Sequence, residues 1–491
     1  MRPAASQSVA PMTAVVLAIA ALAGAALALG ACALGPDYKP PVPPVGATAP
    51  LVSVDPALET PSEPRDDWWR LYDDPLLDRL VRQAFAANQD LAVAEANLSI
   101  ARASLEQARN GLYPQTSVNF GARYGRDAVT DEILEIGGHK PQTIWLFDNI
   151  LDVSYELDLF GRVRRSIEAS HADEEAAAAA RDGVRITVAA ETTRAYAQVC
   201  ALGEELAVAR RSVEVTEHET DIARQRLRLG GGTDFDVVRA EQVAAQARAA
   251  IPPLEGQRRA ALFQLAALLG RTPAAQAGTV EAKDAEACVT PPGLKALLPV
   301  GDGTSLLKRR PDVRLADRRL AAATARVGVA TAELYPRITL TGIYGGAAAD
   351  ISEVFQNPGL TWGVGPEINW TFPNMAGPRA RVHAAQASAT SSLASFDSAV
   401  LQALKEAEQS LAVYGSELDH RRALADAQDK AQRAYDMVHG QFGAGSASTL
   451  DVLTSEQTLV AANAAVAASD AALAQDQIAV FKALGGGWGQ N

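Results

Sequence analysis

The sequence predicts a mainly α-helical fold with a smaller transmembrane β part, organised as two internal repeats. Three observations carry this. The first is the stretch from Arg162 to Leu229, about 68 residues without a proline, enough for one helix about 100 Å long at 1.5 Å per residue. A second proline-free stretch runs from Arg379 to His439. Both carry apolar residues seven apart, Val199, Leu206 and Val213 in one and Leu404, Leu411 and Leu418 in the other. That is the spacing of helices that need partners along their whole length.

The second observation is duplication. Early in each half, matching residues stand 222 positions apart: Asp90 with Asp312, and Leu112-Tyr113-Pro114 with Leu334-Tyr335-Pro336. Later the shift is 215: Glu191 with Glu406, Asp236-Val237 with Asp451-Val452, Glu241-Gln242 with Glu456-Gln457, and Leu269-Gly270 with Leu484-Gly485. One constant shift on each side of a single length change marks an internal repeat. The third observation is a change of period between the helices. Val118, Phe120, Ala122 and Tyr124 alternate with Ser117, Asn119, Gly121 and Arg123; Leu151, Val153, Tyr155, Leu157 and Leu159 alternate with Asp152, Ser154, Glu156 and Asp158. The second half repeats this with Ile338 and Leu340, then with Trp362, Val364, Pro366, Ile368 and Trp370 around Glu367.

Taken in order, the chain opens with Met1-Arg2 and an uncharged apolar run, Ala14 to Leu29, that ends in Leu29-Gly30-Ala31-Cys32. A charged start, an apolar core and small residues before a cleavage point make a secretory signal. The Cys standing at that point resembles the bacterial lipobox, in which it is acylated and becomes the first residue. An ordinary signal peptide or an uncleaved anchor are the alternatives. Ala33 in place of Asp favours the outer membrane within that pattern. Lipid chains on one Cys anchor a protein without spanning the bilayer.

The expected organisation is a signal peptide at 1–31, a Pro-rich lipid-anchored tether at 32–65 and a first repeat at 66–270, with strands near 115–124 and 150–159 and a hairpin tip near 230–236. A connecting equatorial segment at 271–310 leads to the second repeat at 311–491, with strands near 337–345 and 361–371 and a tip near 443–451. Helices from Asp90 to Leu112 and from Thr233 to Leu269 together span about the length of the Arg162–Leu229 rod, so two stacked helices can flank one long one.

Strands with one apolar and one charged face could lie on a soluble core. Three features favour the membrane instead: lengths of about ten residues, Trp and Tyr near the strand ends, and the secretory address. Arg123, Asp152, Glu156, Asp158 and Glu367 then face a water-filled lumen. Four strands cannot close a barrel and open edges are not tolerated in lipid, so other copies of the chain must complete it.

The tips read Leu229-Gly230-Gly231-Gly232-Thr233-Asp234-Phe235-Asp236 and Phe442-Gly443-Ala444-Gly445-Ser446-Ala447-Ser448-Thr449-Leu450-Asp451. Neither has the Gly-Lys-Ser/Thr ending of a phosphate-binding loop. They read as helix-to-helix turns, with glycines at positive-φ positions and Thr233 or Ser448 capping the next helix. Asp236 and Asp451 either favour the helix dipole or form rings of charge at a constriction. Arg226, Arg228 and Arg239 stand nearby, either as ionic partners or as a solvated face of the coiled coil.

No enzyme, cofactor or metal centre is expected. The six His lack metal-ligand spacing, there is no nucleophile elbow, and Cys200 and Cys288 read as separate packed thiols; a disulfide between them is not expected, because their elements need not meet. The formal charge of −13 argues against nucleic acid.

The order of helix, strand pair, long helix, tip and shorter helix, given twice behind a lipobox, resembles the TolC-like outer-membrane efflux factors, in particular their OprM-like or NodT-like lipoprotein branch. Matching stretches are Gly35-Pro36-Asp37-Tyr38, Trp68 to Leu80 with Asp74-Pro75-Leu76, Tyr155 to Arg162, Leu298-Pro299-Val300 and Arg309-Arg310-Pro311-Asp312-Val313-Arg314. The resemblance implies a homotrimer: four strands from each chain form one twelve-stranded outer-membrane barrel, and the hairpins form a periplasmic α-barrel continuous with it. It implies a passive exit duct of a tripartite pump, worked by a resistance-nodulation-division transporter of the inner membrane through a periplasmic adaptor. It also implies a periplasmic gate at the tips, with Phe442 and Leu450 at constriction positions, Leu227, Asp236 and Asp451 beside them, and Thr454 where several relatives place an aspartate. A polypeptide secretion duct shares this architecture. From another class, a non-conducting lipid-anchored coiled-coil scaffold or adaptor is the alternative.

Overall fold

The computed structural model describes residues 33–486 apart from 55–58, 61, 127–131, 133, 134, 139, 141, 142, 295, 296, 355 and 357–359. The signal peptide and Cys32 therefore lie outside the described residues.

In chain order, β1 (Glu59–Thr60) precedes a short 3-10 turn, Trp68–Tyr72, and α1 (Pro75–Ala87). Asp74 starts α1 by accepting bonds from the amides of Leu76 and Leu77 at 2.8 and 3.1 Å, with Pro75 at the first helical position, where a missing N–H costs nothing. Then come α2 (Gln89–Asn110), β2 (Gln115–Gly125), β3 (Ile144–Leu157), the long α3 (Arg162–Arg228), α4 (Asp234–Ala249) and α5 (Ile251–Leu268). The connecting segment holds α6 (Pro273–Gln276), α7 (Val280–Glu286), β4 (Leu298–Pro299) and α8 (Gly303–Arg309). The second half follows with α9 (Pro311–Ala332), β5 (Arg337–Ala348), β6 (Leu360–Asn369), the long α10 (Ala376–Gly443) and α11 (Thr449–Ala483).

Several boundaries differ from expectation: β5 runs on to Ala348 and β6 ends at Asn369, which leaves Trp370 beyond the strand. β3 begins at Ile144 and ends at Leu157, so it starts six residues early and leaves Asp158 outside. The helix expected from Thr233 to Leu269 breaks at Ala250 into α4 and α5, where Pro252 and Pro253 supply no backbone donors. α10 reaches back to Ala376 because Pro378 lies in its first turn, where proline is tolerated.

The chain divides into two compact units. The first comprises, among the described residues, 33–41, Ser99–Ala176 and Asp317–Ser395. It contains one antiparallel sheet in the order β2-β3-β5-β6. A strap of N-terminal residues is bound into the same unit: the Leu34 amide donates to the Phe160 carbonyl at 3.2 Å, Arg165 donates to the Leu34 carbonyl at 3.1 Å and to Asp37 at 2.7 Å, and the Tyr38 hydroxyl donates to Asp317. Gly35 is required there, since it holds φ +91° and a Cβ would come 2.4 Å from Gly328 Cα. This is a structural role for the Gly35-Pro36-Asp37-Tyr38 stretch.

The second unit comprises Val42–Leu98, Ala177–Ala316 and the chain from Phe396 onward. Its core gathers the fully buried Trp68, Leu77, Leu80, Leu265, Leu298, Ile478 and Leu484, with the Trp68 ring stacked on Phe481 at 4.7 Å. β1 and β4 pair in parallel. Arg310 of the Arg-Arg-Pro-Asp stretch is buried and donates to Asp312 at 2.6 Å, Glu406 at 2.7 Å and the Ala483 carbonyl at 2.8 Å. Three such bonds satisfy a buried guanidinium that would otherwise be costly.

The expectation of separate thiols is overturned here: Cys200 in α3 and Cys288 after α7 form a disulfide, their Cα atoms 4.8 Å apart. The two elements meet because Arg258 in α5 donates to the Val199 carbonyl on one side and to the Glu286 and Cys288 carbonyls on the other. Gly203 leaves room for that approach, since a Cβ there would come 2.2 Å from the Cys288 oxygen. A structural disulfide fits an oxidising compartment.

Candidate functional site

The sheet of the first unit has two unlike faces, and the register proves it. Val118 pairs with Leu151, Phe120 with Asn149 and Tyr124 with Trp145. Leu151 pairs onward with Tyr344, which pairs with Trp362, and Gly342 pairs with Val364. Because side chains alternate along each strand, Val118, Phe120, Tyr124, Trp145, Phe147, Leu151, Val153, Leu340, Tyr344, Trp362, Val364 and Ile368 share one face. It is bare: Phe120 is 75 %, Trp362 71 % and Val364 71 % exposed. Asn149 lies among them and its Oδ1 accepts from the Gly346 amide at 3.0 Å; so broad an apolar surface is not left in water without a reason.

The opposite face carries Asn119, Arg123, Asp148, Asp152, Glu156, Thr339, Thr341 and Glu367. Asn119 donates to Asp152 at 3.0 Å, and Arg123 lies 3.8 Å from Asp148. Asp148 escaped the sequence analysis because the early residues of β3, Ile144 to Asn149, do not alternate cleanly. Gly121 makes its space, since a Cβ there would collide with the Asp148 carboxylate at 2.4 Å. Glu156 closes the face at the strand end, accepting from Arg162 at 2.8 Å and from Arg337 at 2.9 Å.

Asp158 is corrected. It lies beyond β3 and caps α3, accepting from the amides of Val163 and Arg164, each at 2.9 Å. Those are two of the unsatisfied donors at the start of a helix, so this carboxylate is not part of the strand face.

In the second unit both hairpin turns are built alike. Gly230 (φ +74°) and Gly445 (φ +78°) take the left-handed conformation. The Gly231 amide bonds back to the Arg226 carbonyl at 3.0 Å and the Ser446 amide to the Gln441 carbonyl at 2.9 Å, which closes the last helical turn. Gly231, Gly232 and Gly443 do not use positive φ; only one glycine per tip is needed for it. Thr233 and Ser448 each form a reciprocal capping box with Asp236 and Asp451. In both, carboxylate Oδ2 accepts from the cap amide at 2.9 Å and from the cap hydroxyl at 2.7 or 2.6 Å. These hydrogen bonds hold both carboxyls below the ordinary aspartate range.

The remaining tip residues divide into packed and exposed. Ala223, Val237, Ala240 and Leu453 form a small core. The Arg226 guanidinium sits 4.0 Å above the Phe442 ring, joining the turn of one hairpin to that of the other. Leu227 and Leu450 are 37 % and 45 % exposed, and the Thr454 hydroxyl donates to the Leu450 carbonyl at 2.8 Å.

A sheet with one lipid-compatible face and one charged face, carried with two long helical hairpins, defines a membrane channel subunit. The chain belongs to the family of outer membrane efflux proteins, whose description it matches over residues 80–271 and 304–486. It is an efflux channel component and not an enzyme. It is 30% identical to the pyoverdine export outer membrane protein OpmQ of Pseudomonas aeruginosa, over 86% of this chain and 87% of that protein. The toluene efflux pump outer membrane protein TtgF of Pseudomonas putida is 27% identical over 92% of this chain and 93% of its own. Among solved structures, the outer-membrane channel OprN superposes with a TM-score of 0.84 at 33% identity, covering 93% of this chain and all of that one.

Proposed function

We propose that the chain assembles as a lipid-anchored homotrimer whose sheets close into one twelve-stranded barrel and whose hairpins line a passive periplasmic duct for small molecules. The observation that carries this reading is the four-stranded sheet with a bare apolar face, whose outer strands β2 and β6 have no partner strand on their far sides among the described residues. Unpaired edges are excluded from lipid, and pairing β2 of one copy with β6 of the next removes every edge at once. Asn119, Arg123, Asp148, Asp152 and Glu367 then face the water of the lumen.

The gate in this reading is the pair of tips. Leu227, Phe442 and Leu450 narrow the periplasmic end, Thr454 adds a polar wall, and Asp236 and Asp451 fix the turns that present them. A periplasmic adaptor that binds the splayed hairpins better than the packed ones shifts the duct toward open. An inner-membrane resistance-nodulation-division transporter supplies the energy.

The anchor is Cys32. Ala33 packs so closely on Gly161 that a Cβ there would come 2.7 Å from Ala33 Cα, and the Leu34–Phe160 bond follows. Ala33 and Leu34 are thereby tied to the junction of β3 and α3. Cys32→Ser should abolish palmitate incorporation while the hairpins still fold. Palmitate on the Ser variant would refute the anchor.

A further inference from the structure

Two carboxyls are buried close to the tips of the second unit, one on each hairpin. Glu219 on α3 is 4 % exposed and Glu456 on α11 is 1 % exposed. Neither oxygen of Glu456 has a hydrogen-bond partner among the described residues. Buried polar groups are almost always satisfied, and a buried ionised carboxylate without partners is costly. The site therefore favours the neutral form of the acid over the ionised one. Burial first, and Glu219 second, push the Glu456 pKa up to about 7; burial also raises Glu219, opposed by His439 and His218.

The groups around the pair come from every neighbouring helix. On α3, besides His218, the Thr216 and Thr220 hydroxyls donate to the carbonyls of Ser212 and Thr216 in their own helix. On α10, Tyr435 stacks on His439 at 5.6 Å and feels Glu219, Glu456, Asp436 and Arg211. α4 packs nearby through Val237 and Ala240, and its Glu241 is taken up by Arg224 at 2.7 Å.

The duplication sharpens the comparison. Shifted by 215 positions, Arg224 becomes His439 and Glu241 becomes Glu456. The first repeat thus holds an exposed ion pair between Arg224 and Glu241, whereas at the matching places the second has His439 and a buried acid with no hydrogen-bond partner among the described residues.

We propose that Glu219 and Glu456 form a proton-operated latch between the two hairpins, shut while the pair is protonated and loosened when it ionises. The duct reading enters only in the consequence, easier parting of the tips; the latch itself belongs to the packing of α3 against α11. The sign follows from the direction of both shifts. An acid whose pKa is raised by packing favours the packed state below the ordinary glutamate range, and that contribution fades as pH rises and is gone above about 7.

The test is amide hydrogen exchange of the purified full chain, corrected for the intrinsic pH dependence of exchange, over residues 212–225 and 450–463. Between about pH 5.5 and 8, exchange of both segments should accelerate roughly tenfold or more, a decade for each unit of difference between the packed and open states. Glu456→Gln, which keeps the shape and removes the charge, should hold both segments at the slow, low-pH rate throughout. Glu241→Gln, at the paired counterpart, should keep the wild-type profile. An unchanged pH profile in Glu456→Gln would overturn the latch, as would a wild-type profile that is flat. Conductance of the same preparations separates the two readings: pH-dependent exchange with silent bilayers at every pH upholds the latch and counts against the duct.

Discussion

Val364→Arg, in the middle of β6, should keep the protein out of the outer membrane. Val364 is 71 % exposed on the apolar face, beside Gly342 of β5 in register. An Arg on the lipid face of a barrel costs about 2–4 kcal/mol near the midplane, and a trimer pays it three times, roughly 6–12 kcal/mol in total. That is comparable to the whole stability of an ordinary domain. Val153→Arg in β3 should behave the same way. Thr341→Arg provides the control, because Thr341 lies on the opposite face, paired with Ser154 and Gly365, and should insert normally. Membrane fractionation and trimer recovery after detergent extraction read the outcome. Equal insertion of all three variants would mean that the apolar face does not meet lipid.

Removing the Cys200–Cys288 disulfide is the second large perturbation. The bridge closes a sequence separation of 88 residues, for which the loss of unfolded-chain entropy amounts to about 4–5 kcal/mol. Arg258 holds the same two segments through three carbonyls, so the folded structure should survive Cys200→Ala with Cys288→Ala while its thermal midpoint falls. Reductant should lower the wild-type midpoint toward that of the variant and leave the variant unmoved. A wild-type midpoint indifferent to reductant and to both substitutions would show that the bridge does not form.

The rods were legible because a helix of this length needs only the absence of proline and an apolar residue every seven, and α3 and α10 have both. The sheet faces were legible for the same kind of reason: the alternation of Leu151, Val153 and Tyr155 with Asp152, Ser154 and Glu156 fixes the faces before any partner strand is known. What escaped was set by contacts far apart in the chain. Asp158 continues the strand pattern by one step, yet the backbone has already turned and its carboxylate meets two helix amides. The disulfide depends on α7 being folded back onto α3, which no local pattern announces. Glu241 and Glu456 are equivalent in the repeat, and only packing makes one an exposed ion pair and the other a buried orphan. The tip acids were readable as helix-start residues, and the capping boxes show how each is used.

The most direct test of the central claim is single-channel conductance of the purified protein in a planar bilayer, wild type beside Leu450→Ala and Phe442→Ala. The duct reading predicts small, infrequent wild-type openings that become larger and more frequent in both tip variants, because each removes bulk from the narrowest end while leaving the capping boxes of Thr233 and Ser448 intact. Silence from wild type and both variants, with trimers demonstrated in the same preparation, would contradict it.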